Sequence, residues 1–326
     1  MATTPLVSVI IPAYNGEQFI GEAIESALAQ RGVAIEVIVV DDGSSDQTVE
    51  RIVEFGERVR LFQKKNGGVA SARNFGIARA RGRFVALLDQ DDRYLPGKLA
   101  TQIDMMNNCP EAVVCHGNIR MIDALGHALH NGHLGHPTDE SMPSGMVLER
   151  LFQWNFILAC TALMQRDAVL AVGGFNERLW GVDDYELWMK LATLGPIIYA
   201  NEIISEYRWH GENASRNEFR MALGRLLARE EFLREIPAAW SLLGSKKVRK
   251  IIAKYSSDFG YSFYKSGCSA EARIILLKGL RYAPFTFILW RMYFASHLHF
   301  LIIRVKKLHT KLYGVRSLLR RKSSGS

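Results

Sequence analysis

Four times in the first ninety residues a short apolar run stops at a polar cluster, and a helically spaced segment leads to the next run. Residues 6–11 end at Pro12-Ala13-Tyr14-Asn15-Gly16, and residues 35–40 end at Asp41-Asp42-Gly43-Ser44-Ser45-Asp46. A weaker run, 59–62, precedes Asn66-Gly67-Gly68, and residues 83–88 end at Asp89-Gln90-Asp91-Asp92. The intervening segments 17–30, 48–55 and 69–80 carry apolar residues at helical spacing, as in Phe19, Ile20, Ala23, Ile24, Ala27 and Leu28. Strand and helix alternating at this interval predict βαβ units and a parallel sheet covered by helices on both faces. Ligands of such sheets lie beyond the carboxyl ends of the strands, so the polar clusters converge on one crevice of a Rossmann-like, nucleotide-binding half. The fingerprints GxGxxG and GxxxxGK[ST] are both missing, which argues against nicotinamide-dependent dehydrogenases and P-loop enzymes.

The last cluster sets three carboxylates within four positions. Like charges so close repel, and a hard divalent cation with oxygen ligands relieves them. An acidic turn after a strand is the plainer alternative. Composition neither forces nor forbids either: the chain is 326 residues long, 48% hydrophobic and 23% charged, as globular proteins are. Its four cysteines show no CxxC pairing or zinc spacing and read as reduced, consistent with a cytosolic setting. The opening apolar run is too short for a signal peptide. The net charge of +8 is a property of the C-terminus, because no acidic residue follows Glu271 whereas 12 of the 41 basic residues do. The preceding 271 residues carry a net charge of −4, which argues against nucleic acid as a partner of the main domain.

Pro12-Ala13-Tyr14-Asn15, Asp41 to Asp46, Asn66-Gly67-Gly68 with Ala72-Arg73-Asn74, and Leu88 to Asp92 stand in the order and spacing of family 2 glycosyltransferases. The resemblance implies a GT-A fold and inverting transfer of a sugar from a nucleotide donor. It also implies that Asp89-Gln90-Asp91 is a DxD motif, with Mn²⁺ or Mg²⁺ held by Asp91 against the donor diphosphate. Asp89 then contacts the ribose or, through water, the metal, and Asp92 orients its neighbours or meets the sugar. Asp42 is favoured over Asp41 as the base contact, and Tyr14 stacks on or edges against the base. The turn around Pro12, Ala13 and Asn15, the close approach allowed by Asn66 and Gly67, and Gln90 complete the donor contacts. The Arg73 guanidinium is placed to meet phosphate; an ordinary surface arginine is the alternative. Asp46-Gln47-Thr48 reads as a helix N-cap.

Downstream, a helix spans about residues 95–107, a strand 112–115, and a Gly/His/Pro-rich loop 123–145. His116, His127, His130, His133 and His136 are irregularly spaced and read as solvated loop residues rather than zinc ligands. Residues 156–164 read as a buried strand and 197–199 as a short one. Gly181-Val182-Asp183-Asp184-Tyr185-Glu186-Leu187-Trp188 resembles the family's Glu-Asp-x-Asp/Glu-Leu-Trp segment, with Asp183 replacing Glu. Inverting transfer needs a base for the acceptor hydroxyl; register favours Asp184, with Asp183 the alternative and Trp188 core. Tyr207-Arg208-Trp209-His210 and the following Asn213 and Ser215 resemble Tyr-Arg-x-His-x-x-Asn-x-Ser. This implies His210 as a further metal ligand or diphosphate contact and Arg208 as a phosphate contact.

The expected architecture is a GT-A domain over residues 1–220, with a donor half to about 115 and an acceptor half beyond, followed by a helical C-terminal region, 221–326. Residues 219–236 and 246–265 show helical spacing, and residues 260–280, with Pro284 beyond, loosely resemble a helical-hairpin repeat. Residues 284–305 are rich in aromatics but carry Arg291, which would cost roughly 2.5–3.5 kcal/mol at a bilayer centre. An interfacial helix with the polybasic segment 304–322 fits better, giving peripheral contact at the cytoplasmic face of a membrane. The acceptor is then a glycan or lipid-linked glycan. Rival readings are a polyprenyl-phosphate sugar synthase, a nucleotidyltransferase, which would want a Gly-rich basic loop after the first strand, and a non-catalytic sugar-nucleotide-binding module.

Overall fold

The computed structural model describes residues 5–131, 142–211 and 213–297. Two compact units are present, Met1–Ala239 and Trp240–Ser326. In the first, β1 (Val7–Ala13), α1 (Ile20–Leu28), β2 (Ile35–Asp41), α2 (Thr48–Val53), β3 (Arg60–Gln63), α3 (Val69–Ile77) and β4 (Phe84–Leu87) form the expected alternating half. The parallel pairs β1–β2, β1–β4 and β2–β3 set all four strand ends on one edge. Alternation along β1 explains the layering. Val7, Val9 and Ile11 join Ile20, Ala23 and Ile24 of α1 in the main core, whereas Ile10 faces α3, whose Gly76 would put a Cβ only 2.8 Å from the Ile10 Cγ2. Each such aliphatic side chain, fully buried, contributes about 1.5–3 kcal/mol.

The acceptor side departs from the sequence expectation. After β5 (Arg93–Tyr94) and α4 (Lys98–Asn108), β6 (Val114–Ile122) turns into β7 (Ala128–Asn131), so the expected loop from 123 opens with a hairpin. His116 lies on β6 and is fully buried, which corrects its reading as a solvated loop residue; His127 and His130 are exposed. His133 and His136 lie outside the described residues. The run 156–164 is only partly strand: a 3₁₀ turn (Ala159–Thr161) precedes β8 (Leu163–Gln165), and α5 (Leu148–Gln153) precedes both. A continuous apolar run records burial, and burial alone does not fix backbone shape. Conversely β9 (Ile197–Arg208) is four times the expected length. The sheet order β3-β2-β1-β4-β8-β6-β9-β5 is mixed: β8 runs antiparallel to β4 and β6, and β9 parallel to β6.

Two helices, α6 (Arg166–Ala171) and α7 (Asp183–Leu191), follow β8, and α8 (Glu218–Glu235) closes the unit. The first unit runs past residue 220 because α8 is bolted to it: buried Arg229 donates to the Phe152 and Gln153 carbonyls, and Glu235 meets Lys190 of α7. Trp188 of α7 is core, as expected, with its indole N–H on the Ile157 carbonyl.

The second unit, after α9 (Ala239–Leu243), is a hairpin of α10 (Ser245–Lys265) and α11 (Ser269–Tyr282). Gly260 lies against Leu276 and Gly279 against Ser256, so two missing side chains let the backbones approach. Phe285, Phe287 and Phe294 are exposed. Among the described residues no helix is long and apolar enough to cross a membrane; the basic segment 304–322 lies outside them.

Candidate active site

The loops after β1, β2 and β4 are stitched together by side chains clamping backbone. Gln90 accepts from the Tyr14 N–H at 2.8 Å and donates to the Tyr14 carbonyl at 3.1 Å. Asn15, held at φ 46°, donates its N–H to the Ser44 Oγ and accepts from the Ser45 N–H. Asp46 accepts from the Thr48 N–H at the start of α2 and from the Glu17 N–H, so the expected cap also ties two loops together. The result is a rigid rim with the Tyr14 ring 48% exposed on it.

Asp42 is buried and already satisfied: its oxygens accept from the Gly67 and Gly68 N–H groups and from Lys64 Nζ at 2.6 Å. Backbone amides of this kind form a nest that fits an anion, and the chain fills it with its own carboxylate. Asp41 accepts weakly from the Ser44 N–H at 3.3 Å. Asn66 is exposed beside them.

Asp91 and His210, 119 residues apart, are brought together, with the His210 Nε2 2.9 Å from the Asp91 Oδ2. The pairing depends on Arg208 at the end of β9. Its guanidinium is fully buried and donates to the Asp91 and Ala124 carbonyls and to Glu22, lying 4.6 Å over the Phe19 ring, while its backbone N–H donates to Asp92. The expectation that Arg208 meets a donor phosphate is thereby corrected: its donors are spent on holding the acid loop. Glu22 and Phe19 escaped sequence reasoning because a charge and an aromatic on an amphipathic helix look like any others. Burial and the adjacent Asp91 and Asp89 charges push the Asp92 carboxyl well above the ordinary range.

Arg73 is also diverted from the surface. It is buried, lies over the Phe175 ring, and donates to Asp89 at 2.6 Å and to Asp183 at 2.8 Å. Burial disfavours the charge on Arg73, but the carboxylates outweigh it and raise its pKa further. One guanidinium thus joins the acid loop after β4 to the first turn of α7. Asp183 is consumed by that pair, whereas Asp184 is half-buried and accepts only from the Tyr185 N–H, at 2.6 Å, among the described residues. Burial and then the Asp183 charge push the Asp184 carboxyl up to about 7.

Residues 8–172 match the family model of glycosyl transferase family 2. The chain belongs to this family. As a family 2 glycosyltransferase it is 37% identical over 216 residues to an uncharacterised glycosyltransferase of Rickettsia conorii, covering 65% of this chain and 35% of the relative. A Rickettsia typhi relative, also an uncharacterised glycosyltransferase, is 32% identical over 274 residues, 81% of each chain. Chondroitin synthase of Escherichia coli is 31% identical over 255 residues, 75% of this chain and 34% of that one. The chain therefore spans about a third of the length of the first and third of these relatives. Among solved structures, Staphylococcus aureus TarS 1–349 superposes with a TM-score of 0.56 at 19% identity over 90% of each chain. The same protein in complex with UDP-GlcNAc gives 0.55, over 77% of this chain and 80% of that one. The fold of this family 2 glycosyltransferase is GT-A, with a mixed sheet and a helical C-terminal region.

Proposed function

We propose that this family 2 glycosyltransferase transfers a sugar, with inversion, from a nucleotide-diphosphate donor, UDP-linked by preference, to a hydroxyl of a glycan or lipid-linked acceptor. The observation that supports the reading is the pair Asp91–His210 beside the bridge Asp89–Arg73–Asp183, which ends next to Asp184 in sequence.

The donor set at Asp91 and His210, one carboxylate oxygen and one imidazole nitrogen within 2.9 Å, fits a divalent cation as half a site. No three metal-binding side chains cluster among the described residues, so a Mn²⁺ or Mg²⁺ ion would take its other ligands from donor phosphates and water, with Asp89 a contact through water. Such an ion offsets charge on the departing nucleotide.

The protein's own groups do the rest. Pro12, Ala13, Tyr14 and Asn15 form the wall for the base, with Tyr14 stacking on it, and Asp41 and Asp42 shape its floor through the Gly67 nest. Gln90 keeps Tyr14 in register, and Asp92 with Arg208 fixes the acid loop. Asp184, with one oxygen on the Tyr185 N–H, takes the acceptor proton through the other as the acceptor oxygen attacks the anomeric carbon opposite the diphosphate. A pKa near 7 suits that task, because about half of the group is ionised at neutral pH and it is basic enough to accept the proton. Arg73 takes Asp183 in a buried ion pair behind it, so Asp183 positions and Asp184 reacts. Residues 284–322 provide peripheral membrane contact next to a lipid-linked acceptor.

The test is a thermal-shift panel of nucleotide sugars with Mn²⁺, followed by nucleotide-release assays. Stabilisation by UDP-sugars that disappears on chelation is expected. No stabilisation by any nucleotide sugar refutes the reading.

A further inference from the structure

Before α7 and at the start of α8 the chain does two things that stability does not reward. Trp180 is left 43% exposed, and Arg220, in the first turn of α8, places a cation at a helix N-terminus, where the macrodipole disfavours it. The two meet: the Arg220 guanidinium lies 3.2 Å from the centroid of the Trp180 ring. The contact is built in. Gly181, at φ 73°, turns the chain so that Val182 goes inward and Trp180 outward. Val182 then seats against Gly224, where a Cβ would come within 2.9 Å of its side chain. Gly224 is one turn beyond Arg220 on α8, so this seat delivers the guanidinium to the indole. Asn217 accepts the Arg220 N–H at 2.9 Å and fixes the start of the helix. Arg220 makes no ion pair with a carboxylate among the described residues, so its donors are available to another group.

We infer that Trp180 and Arg220 form an acceptor subsite that binds a pyranose ring of the glycan. The inference rests on the glycosyltransferase reading and deepens it. An indole stacked by a cation and still 43% exposed offers a flat apolar surface to the C–H face of a sugar. Arg220 offers N–H donors at its edge to ring hydroxyls or a carboxylate. Location decides in favour of the acceptor over the donor. Four residues of chain span at most about 14 Å, so the platform lies within an oligosaccharide's reach of the Asp184 carboxylate. Trp180 grips a ring of the acceptor chain while the terminal hydroxyl is presented to the base.

The experiment uses the full chain and calorimetric titration with four tetrasaccharides: maltotetraose, N-acetylchitotetraose, and the hyaluronan and chondroitin tetrasaccharides. Stabilisation by UDP with Mn²⁺ serves as the control for an intact fold and donor site. At least one tetrasaccharide is expected to bind the wild type. Trp180→Ala weakens it by about tenfold or more, as truncation of a buried aromatic anchor does, Trp180→Phe keeps affinity within about threefold, and Arg220→Ala loses about threefold or more. Unchanged binding to Trp180→Ala, or no binding of any of the four to a wild type that still responds to UDP, overturns the subsite alone. A wild type that responds to neither UDP nor any nucleotide sugar overturns the glycosyltransferase reading, and the subsite with it.

Discussion

Replacing Arg73 with methionine keeps the length and apolar stem of the side chain but strands two carboxylates. Asp183, with 2% of its side chain exposed, loses the only cation it touches among the described residues; Asp89, 31% exposed, can turn to water. The Asp183 leg dominates, and removing one partner of a buried pair costs about 3–5 kcal/mol. At roughly 2–4 °C per kcal/mol for a unit of this size, the melting temperature should fall by roughly 10 °C at pH 8. The loss should depend on pH with a defined sign. The Asp183 carboxyl is already raised above its ordinary value of 3.8 by burial, against the lowering effect of Arg73. Without Arg73 it rises further. A raised carboxyl costs stability once the pH exceeds its unfolded value, and the cost is fully present above its folded one, so the deficit should shrink as the pH falls toward 4. Melting curves of wild type and Arg73→Met between pH 5 and 8 read this directly. A deficit below about 1 kcal/mol at pH 8, or one of equal size at every pH, refutes the buried bridge.

Other outcomes follow from the same geometry. Asp184→Asn should keep UDP binding and lose transfer by at least about a hundredfold. In the wild type, kcat/KM should rise with pH through about 7 as the Asp184 carboxyl ionises, a limb absent from any residual Asp184→Asn activity. Asp91→Ala and His210→Ala should each weaken Mn²⁺-dependent UDP binding, with little further loss in the double variant because the two share one ion; additive losses in calorimetry would argue for separate roles. Gly279→Ala should destabilise the helical hairpin, since its Cβ would stand 2.5 Å from that of Ser256; overpacking costs about 1–3 kcal/mol, offset by up to about 1 kcal/mol of helix propensity. A melting temperature above that of wild type would refute the close approach.

The donor half was legible because each element declares itself locally. Residues 35–40 are β-branched and stop at two aspartates, and β2 ends at Asp41. The acceptor half was less so, since its decisive contacts are long-range. Nothing in residues 197–208 signals a twelve-residue strand, because Asn201, Glu202 and Glu206 read as loop, while β6 pairs with Glu206 and with the residues on either side of an irregularity at Asn201 and Glu202. Asp91 and His210 could be set together from motif order, but the two arginines could not be assigned. An arginine looks the same in sequence whether it meets a phosphate or a carboxylate, and Arg73 and Arg208 are each turned inward by acids more than fifteen residues away. Which of the adjacent Asp183 and Asp184 faces Arg73 was equally illegible in the sequence, and the structure shows it to be Asp183.

The acid loop deserves a last consequence. It leaves β4 at Leu87, and a few residues later Arg93 and Tyr94 pair with Glu206 and Ser205 of β9, while Asp92 takes the Arg208 N–H. Strands β4 and β9 are not neighbours in the sheet, so the loop is a strap lashing the two halves of the fold across the strands between them. For protein engineering this sets the size of the exchangeable part. The portion of this chain that can be transplanted is the whole stretch from β1 to the end of α8. A chimera cut between the two halves of the sheet would have to rebuild the strap before it could hold together.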